Sequence, residues 1–214
     1  MNKTFLLNSL RFTYGQDFEL KLDSLELKAR EPILLDGDNG SGKTTLLKLL
    51  SGLLAPNSGT VTYNKIPVAA LDRKRTRIIF VHQHPYLFRG SVRFNLRTAM
   101  RLSGLVQNEW SEAEKAVVEL FQLESLLARK HFELSSGEKQ RVAIARAFVV
   151  KPEVVLLDEP STSMDWLSRS ILINALSEAA KNGIGMVLTS HDVALRESLK
   201  DILTIRLHNG TVTQ

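Results

Sequence analysis

The chain has 214 residues, 43% of them hydrophobic and 24% charged, and its formal net charge of +5 favours an anionic neighbour such as a nucleotide, a nucleic acid or lipid head groups. It contains no cysteine, which excludes disulfide bonds, thiolate metal sites and cysteine nucleophiles. No apolar run approaches the roughly eighteen residues of a membrane span, and Phe5-Leu6-Leu7 is too short for a signal-peptide core, so we expect a cytosolic protein. We also expect a single domain, 1–214.

The first third of the chain is predicted to be mostly β structure. "FELKL" (18–22) alternates apolar and charged residues, as a half-buried strand does. "PILLD" (32–36) is a short apolar run that enters a glycine-rich loop, and "KTTLLKLLSGLL" (43–54) has helical composition. Further strands are predicted in "GTVTYN" (59–64) and "RIIFV" (77–81).

The middle of the chain changes to helix between Ser91 and Lys130. Ser111 and Glu114 have the spacing of a capping box, and apolar residues recur after them at helical intervals. We therefore expect a helical subdomain, approximately 91–150, inserted within the domain.

The last third alternates helices with buried strands. A helix from Gly137 is followed by the strand "EVVLLD", a helix over 165–181, the strand "IGMVLTS" and a helix after Asp192. Asn209-Gly210 then predicts a hairpin. Strands that alternate with helices pair in parallel through right-handed crossovers, so the predicted fold class is α/β with a mainly parallel sheet.

The motif "GDNGSGKT" (37–44) matches the phosphate-loop pattern, between a predicted strand and a predicted helix. Its glycines let backbone N–H groups face phosphate oxygens, and the helix adds its positive end. Lys43 is expected to reach the β- and γ-phosphates, and the Thr44 hydroxyl to bind Mg²⁺. The predicted nucleotide-binding residues of this motif and the position after it are Gly37, Asp38, Asn39, Gly40, Ser41, Gly42, Lys43, Thr44 and Thr45.

The strand "VVLLDEP" (154–160) ends in two adjacent acids. Side chains alternate across a strand, so Asp158 and Glu159 are expected to have different roles. Asp158 is the candidate Mg²⁺ ligand. Glu159 is the candidate base for a water in line with the γ-phosphorus, a role worth roughly 10²–10⁴ in rate. The alternative is a pair of acids that caps a turn or helix.

A second small-residue turn, "LSSGEKQRVAIARA" (134–147), lies just before this strand. Ser135 and Glu138 have capping-box spacing, and the new helix offers an anion-binding end. With the phosphate loop and the two acids, this stretch resembles the nucleotide-binding subunit of ABC transporters over essentially the whole chain. The resemblance implies a P-loop NTPase fold with an N-terminal antiparallel β subdomain, ATP and Mg²⁺ as cofactors, and hydrolysis coupled to transport.

The same resemblance implies a head-to-tail homodimer or pseudo-symmetric dimer. In it, the signature turn of one copy would contact the nucleotide held by the phosphate loop of the other copy. We define the signature turn by the residues Ser135, Ser136, Gly137 and Glu138. Ser136 stands where the family usually has glycine, and Glu138 where glutamine is commonest. A left-handed backbone at Ser136 would cost about 1–2 kcal/mol and weaken closure of the dimer.

Four further positions match functional residues of the family. Tyr14 matches the aromatic residue that stacks on adenine, and Gln83 the glutamine that contacts Mg²⁺ and the attacking water. Asp165 matches the loop that crosses the dimer interface, and His191 the histidine that contacts the γ-phosphate beside Glu159. An ordinary strand tyrosine and a structural histidine are the alternatives for Tyr14 and His191.

The stretch after Gln83, "HPYLFRGSVRFNL" (84–96), looks like the surface on which importers receive the coupling helix of their membrane subunit. The resemblance thus implies a peripheral subunit on the cytoplasmic side of the membrane, transmembrane permease partners and an extracytoplasmic solute-binding protein. Tungstate- and molybdate-type oxyanion importers are the most similar subgroup. An exporter subunit, or a soluble ABC ATPase that acts on a cytosolic assembly or nucleic-acid complex, is the alternative; nucleic acid is disfavoured because long coiled-coil or zinc insertions are missing.

The helix predicted after Ser91 carries like charges at i, i+4 spacing in Arg93, Arg97 and Arg101. Such pairs cost a helix about 0.2–0.5 kcal/mol each. Two interpretations stay open. The arginines form a solvated face with salt bridges elsewhere, or they meet acidic groups of a membrane subunit or lipid.

Overall fold

Two sheets with helices between and beside them make up the fold. The computed structural model describes residues 3–15, 18–72, 74, 76–162, 164–199 and 201–213. In these residues the strands are β1 (Thr4–Tyr14), β2 (Phe18–Lys28), β3 (Ile33–Asp36), β4 (Ser58–Tyr63), β5 (Ile66–Pro67), β6 (Ile78–Val81), β7 (Val154–Asp158), β8 (Gly185–Thr189), β9 (Leu203–His208) and β10 (Thr211–Thr213). The helices are α1 (Lys43–Leu50), α2 (Val92–Ser103), α3 (Trp110–Leu120), α4 (Ser136–Phe148), α5 (Trp166–Lys181) and α6 (Val193–Ser198), with short 3₁₀ turns at 68–70, 107–109, 124–126 and 131–133.

The first sheet is antiparallel and has the strand order β2-β1-β4-β5. Its long β1–β2 pair runs in register from Thr4 opposite Lys28 to Tyr14 opposite Phe18. Leu20 is buried and Lys21 is exposed, as the alternation of apolar and charged residues in β2 predicts. The antiparallel β subdomain expected from the family resemblance is confirmed.

The second sheet has the order β10-β9-β3-β8-β7-β6, and all its pairs are parallel except the terminal hairpin β9–β10. Asn209 and Gly210 form the turn of that hairpin with φ values of 46° and 73°, the left-handed backbone that this dipeptide favours. The sheet is buried on both faces: Val154 and Leu156 of β7 belong to the core with the first sheet and α1, whereas Val155 and Leu157 belong to the core with the helices. The prediction of a mainly parallel α/β sheet is therefore confirmed.

Helices α2, α3 and α4 follow one another between β6 and β7, within the stretch 91–150. Their shared interior includes Leu96 and Met100, both fully buried, and the rings of Phe121 and Phe148, whose centroids are 5.3 Å apart. No helix in the described ranges is both long enough and apolar enough to cross a membrane.

The predicted capping box at Ser111 and Glu114 is wrong. Helix α3 begins at Trp110, so both residues lie inside the helix, and its N-cap residue, Glu109, makes no side-chain cap. The helix thus starts two residues earlier than a Ser111 cap implies, and the indole N–H of Trp110 donates to the Leu105 carbonyl at 2.9 Å. Glu114 instead reaches across to α2.

The Glu114 carboxylate accepts hydrogen bonds from Arg93 Nε at 2.9 Å and from Arg97 Nε at 2.7 Å. The two guanidinium groups are about half exposed, whereas Glu114 is mostly shielded from solvent. These contacts favour the salt-bridged interpretation of Arg93 and Arg97, because one carboxylate offsets the repulsion between the two arginines.

Replacing Glu114 by Gln should therefore lower the free energy of unfolding by about 0.5–1 kcal/mol at low ionic strength, and by less in high salt, because salt screens exposed ion pairs. Urea unfolding at two salt concentrations measures this. The matched control is Glu119→Gln, which disrupts only the exposed Lys115–Glu119 contact of 3.9 Å and should change stability little. Equal effects of the two substitutions would contradict the role of Glu114.

Candidate active site

The loop between β3 and α1 has a backbone that requires glycine. Gly37, Gly40 and Gly42 have φ values of 140°, 82° and 106°. A Cβ atom on Gly37 would lie 2.1 Å from the carbonyl oxygen of Leu207, and one on Gly42 would lie 3.0 Å from the Phe18 ring. The loop is thus folded tightly against β9 and β2 and leads into the start of α1, where backbone amides can face an anion. Within the loop, the Ser41 N–H donates to the Asp38 carbonyl at 3.1 Å.

Lys43 spans this loop from inside. Its Nζ donates to the carbonyl oxygens of Gly37 at 2.6 Å and Asp38 at 2.9 Å. The ammonium group therefore lies among the loop amides, which is the position from which a lysine can reach phosphate oxygens. The turn of the terminal hairpin supports the loop from behind, since the Gly210 N–H donates to the Ser41 carbonyl at 3.2 Å.

Three oxygen-bearing side chains meet where β7, β8 and α1 come together. Thr44 Oγ1 donates to the Asp158 carboxylate, at 3.1 Å from Oδ1 and 2.9 Å from Oδ2. Thr189 Oγ1 donates to Asp158 Oδ1 at 3.0 Å. Hydroxyl and carboxylate oxygens are the ligands that Mg²⁺ prefers, and Mg²⁺ is typically held by one or two such groups together with substrate phosphates. The pairing of Thr44 with Asp158 fits that ion.

Glu159 lies just outside β7, which ends at Asp158, so strand alternation does not determine the direction of its side chain. Its φ is 46°, a left-handed backbone that is uncommon outside glycine. Glu159 Oε2 accepts the backbone N–H of His191 at 3.3 Å, and His191 Nε2 lies 3.4 Å from Oε1. Oε1 is buried and has no hydrogen-bond partner among the described residues. A shielded carboxylate oxygen without a partner is well suited to accept a proton.

The His191 segment is held from α5 by an ion pair. Arg169 Nε donates to Asp192 Oδ2 at 2.6 Å, and a second guanidinium nitrogen bonds Oδ1. Asp192 also caps α6 by accepting the Leu195 N–H at 3.2 Å. Burial would raise the pKa of Asp192, but the bonds from Arg169 and Leu195 outweigh it and hold the pKa below its usual value.

One open cleft of about 590 Å³ is bordered by the glycine-rich loop, by Thr44, Asp158 and Thr189, and by Glu159 and His191. Tyr14 lies at its rim, 47% exposed, with its ring centroid 6.2 Å from that of Phe18. The cleft-lining residues are Tyr14, Phe18, Asn39, Gly40, Gly42, Lys43, Thr44, Thr45, Gln83, Asp158, Glu159, Thr162, Thr189 and His191. Gly37, Asp38 and Ser41 belong to the loop but do not line the cleft. The structure thus brings together residues of β1 and β2 with the ends of β7 and β8 and the segments that follow β3, β6, β7 and β8.

The signature turn and Asp165 lie apart from this cleft. Ser135 caps α4 by accepting the Glu138 N–H at 3.2 Å, and Glu138 Oε2 accepts the Ser135 N–H at 2.8 Å, so the capping box is present. Asp165 caps the neighbouring helix α5 by accepting the Ser168 N–H at 2.8 Å. A Cβ atom on Gly137 would lie 3.0 Å from Asp165 Oδ2, so the two helix starts are in close contact.

The left-handed backbone considered for Ser136 is not present. Ser136 is the first residue of α4, with a right-handed helical conformation, so serine carries no backbone cost there. The cleft also contains three residues that the sequence motifs did not identify: Phe18, Thr162 and Thr189. Thr189 is a polar residue that ends the apolar strand "GMVLT", but its place beside Asp158 follows only from the pairing of β8 with β7.

Comparison with known proteins gives a consistent result. A family model described as ABC transporter matches residues 20–162. The chain is 32% identical, over 92% of its length, to the molybdate/tungstate import ATP-binding protein of Pyrococcus horikoshii, and 34% identical, over 94%, to the spermidine/putrescine import ATP-binding protein of Treponema pallidum. It spans 58% and 53% of those two proteins. A dimeric ATP-binding cassette in a post-hydrolysis state with ADP and Pi is 26% identical, with a TM-score of 0.83 over 98% of this chain and 97% of that one.

Removing the Arg169 side chain should lower the urea midpoint of unfolding at pH 7, because a shielded Asp192 carboxylate would lose its charged partner. The folded-state pKa of Asp192 is depressed, so the stabilisation is present above the unfolded value near ~3.9 and is lost as pH falls through the folded value. The difference between Arg169→Ala and the unmodified protein should therefore shrink when unfolding is measured near pH 3. A difference that stays the same at both pH values would contradict this role of the ion pair. Lys181→Ala, which removes an exposed ion pair on the same helix, is the control.

Proposed function

Because the chain belongs to the ABC transporter family, as an ATP-binding subunit that hydrolyses ATP with Mg²⁺, we propose that it drives solute import through separate membrane subunits. In this proposal two copies close head to tail around ATP, and the closure is transmitted to a permease. The observation that carries the proposal is the separation of two anion-binding elements within one chain: the phosphate loop lines the cleft, and the signature turn does not.

The residues of the cleft divide into binding and reacting groups. Lys43 and the loop amides hold the β- and γ-phosphates, and Tyr14 stacks on the adenine ring, a contact worth roughly 1–3 kcal/mol. Thr44, Asp158 and Gln83 hold Mg²⁺, which when bound neutralises phosphate charge and orients the triphosphate. The contact of the Thr44 hydroxyl with the Asp158 carboxylate supports this assignment, because Mg²⁺ prefers such oxygen ligands.

Glu159 is the proposed general base. Its unpartnered Oε1 takes the proton of the attacking water, while its other oxygen is held by the His191 N–H. The His191 ring, largely exposed beside Glu159, is placed to contact the γ-phosphate. Gln83 borders the same space from the end of β6 and orients the water.

The composite site needs the second copy. In the proposed dimer the hydroxyl of Ser135, the Gly137 N–H and the start of α4 face the γ-phosphate held by the partner's phosphate loop, flanked by Ser136 and Glu138. The capping box uses the Ser135 oxygen and the Glu138 carboxylate, and we assign the Gly137 N–H, in the first turn of α4, to the partner's phosphate. Asp165, in contact with Gly137 on the same face, lies at the proposed interface.

An apolar groove supports a membrane partner. It has a volume of about 660 Å³ and is bordered by the segment after Gln83, including the exposed side chains of Tyr86 and, on α2, Leu102. Arg146 of α4 stiffens this segment by donating to the Tyr86 carbonyl at 2.7 Å, with its guanidinium 5.0 Å from the centre of the Phe88 ring. We propose that the groove receives a helix of the permease, which places the chain on the cytoplasmic face of the membrane.

The proposed cargo is an oxyanion. The two import relatives act with different solutes by name, an oxyanion and a polyamine, although they are similarly related to this chain. An oxyanion such as tungstate or molybdate, delivered by an extracytoplasmic solute-binding protein, is proposed from the resemblance of residues 84–96. Solutes that stimulate ATP hydrolysis by the complex with its permease would test this, and a purely soluble partner would favour the alternative of a cytosolic assembly.

Glu159→Gln should retain Mg-ATP binding and lower kcat by roughly 10²–10⁴, because the amide cannot accept the proton of the water. Phosphate release and binding of a fluorescent ATP analogue measure the two quantities. Glu178→Gln, at an exposed helix position, is the control and should leave both unchanged. Hydrolysis by Glu159→Gln at close to the unmodified rate would refute the assignment of the base.

Mixing a Lys43→Ala copy with a Ser135→Arg copy tests the shared site. Each variant alone should be nearly inactive, but a mixed dimer contains one site with an intact phosphate loop and an intact signature turn. Random pairing of equal amounts should restore about one quarter of the unmodified ATPase activity, since half of the dimers are mixed and each has one of two sites. No recovery on mixing, with both variants folded, would contradict composite sites.

A further inference from the structure

Thr189 ends β8 in a position fixed by the sheet. It is fully buried, and its register partner across the parallel pair β7–β8 is Asp158. Residues directly opposite each other in a sheet project their side chains to the same face. The register therefore places the Thr189 hydroxyl beside the Asp158 carboxylate.

One oxygen atom connects the two acids of the cleft. Thr189 Oγ1 donates to Asp158 Oδ1 at 3.0 Å and accepts the backbone N–H of Glu159 at 2.9 Å. A hydroxyl has one donor and two acceptor sites, so both bonds form at once. A buried threonine with only a structural role would donate its hydroxyl to a nearby carbonyl. The Thr189 hydroxyl instead bonds the side chain of Asp158 and the main chain of Glu159.

The two bonds have different consequences. Asp158 is held from two sides, by Thr189 and by Thr44, so its oxygens are fixed before any ligand arrives. Glu159 has the left-handed φ of 46°, a conformation that a non-glycine residue keeps only when its surroundings hold it. The hydrogen bond from the Glu159 N–H to Thr189 Oγ1 stabilises that backbone conformation directly.

We propose that Thr189 is a positioning residue for ATP hydrolysis: its hydroxyl sets the Asp158 carboxylate toward the metal–phosphate site and keeps Glu159 turned toward the attacking water. This inference rests on the roles proposed above for Asp158 and Glu159. Thr189 touches neither nucleotide nor water in this account and acts only through the two acids.

The test compares Thr189→Val, which removes the hydroxyl at nearly constant shape, with Thr189→Ser, which keeps it. Thr189→Val should lower kcat by about tenfold or more, the range expected for loss of a hydrogen bond to a charged group, with a change in KM for ATP below about threefold. Thr189→Ser should stay within about threefold of the unmodified kcat. Loss with Val and rescue with Ser would support the proposal.

A second readout does not depend on turnover. Fluorescent ADP binding is titrated with Mg²⁺ for each variant. Thr189→Val should need several-fold more Mg²⁺ for half of the metal-dependent gain in affinity, while its affinity for ADP in EDTA stays unchanged. If Thr189→Val does not fold, as judged by a thermal transition, Thr189→Ala is measured in the same way against Thr189→Ser.

Two results would overturn the inference: an unmodified kcat and Mg²⁺ midpoint for Thr189→Val, with or without a fall in thermal stability, or equal losses for Val and Ser. Its failure is distinguishable from failure of the proposed function. A Glu159→Gln protein that still hydrolyses ATP normally refutes the base, whereas an inactive Glu159→Gln beside a fully active Thr189→Val refutes only the role of Thr189.

Discussion

The arrangement of the cleft depends on parallel strands that end at the same edge of one sheet. The strands β3, β8, β7 and β6 lie side by side in that order, and each is followed by a segment that contributes to the cleft. Because the sheet is packed on both faces, a one-residue slip of its register would move Val155 and Leu156 into each other's core and disrupt the packing of both. The rigid sheet thereby fixes oxygen-to-oxygen distances near 3 Å between residues more than a hundred positions apart, as in the contact of Thr44 with Asp158.

The end of β7 gives the neighbouring acids Asp158 and Glu159 different surroundings. Asp158 remains in the strand and is held by hydroxyl groups, whereas Glu159 turns out of the strand and keeps one oxygen without a partner. The signature turn lies elsewhere, at the start of α4. Its Gly137 is in close contact with Asp165 at the start of α5. In the function proposed above, a second copy brings its signature turn to the triphosphate held in the cleft.

Much of this arrangement could be predicted from the sequence because the signals are local. The glycine-rich loop, the two acids at the end of "VVLLDE" and the Asn209-Gly210 turn each depend on a few consecutive residues, and the structure contains all of them. The contributions of Phe18 and Thr189 depend on contacts between distant segments, β2 against the loop at Gly42 and β8 against β7, which no local pattern encodes. The capping-box prediction at Ser111 failed for the same reason, since Glu114 is bound by arginines of another helix.

The shared nucleotide site is tested most directly by the mass of the Glu159→Gln protein in solution, measured by sedimentation with Mg-ATP, with Mg-ADP and without nucleotide. A shared site predicts a species of twice the chain mass with Mg-ATP, and the loss of that species when Lys43→Ala or Ser135→Arg is introduced into the same chain. A protein that stays at the mass of one chain with saturating Mg-ATP, at every concentration and also beside its membrane partner, would contradict the shared nucleotide site.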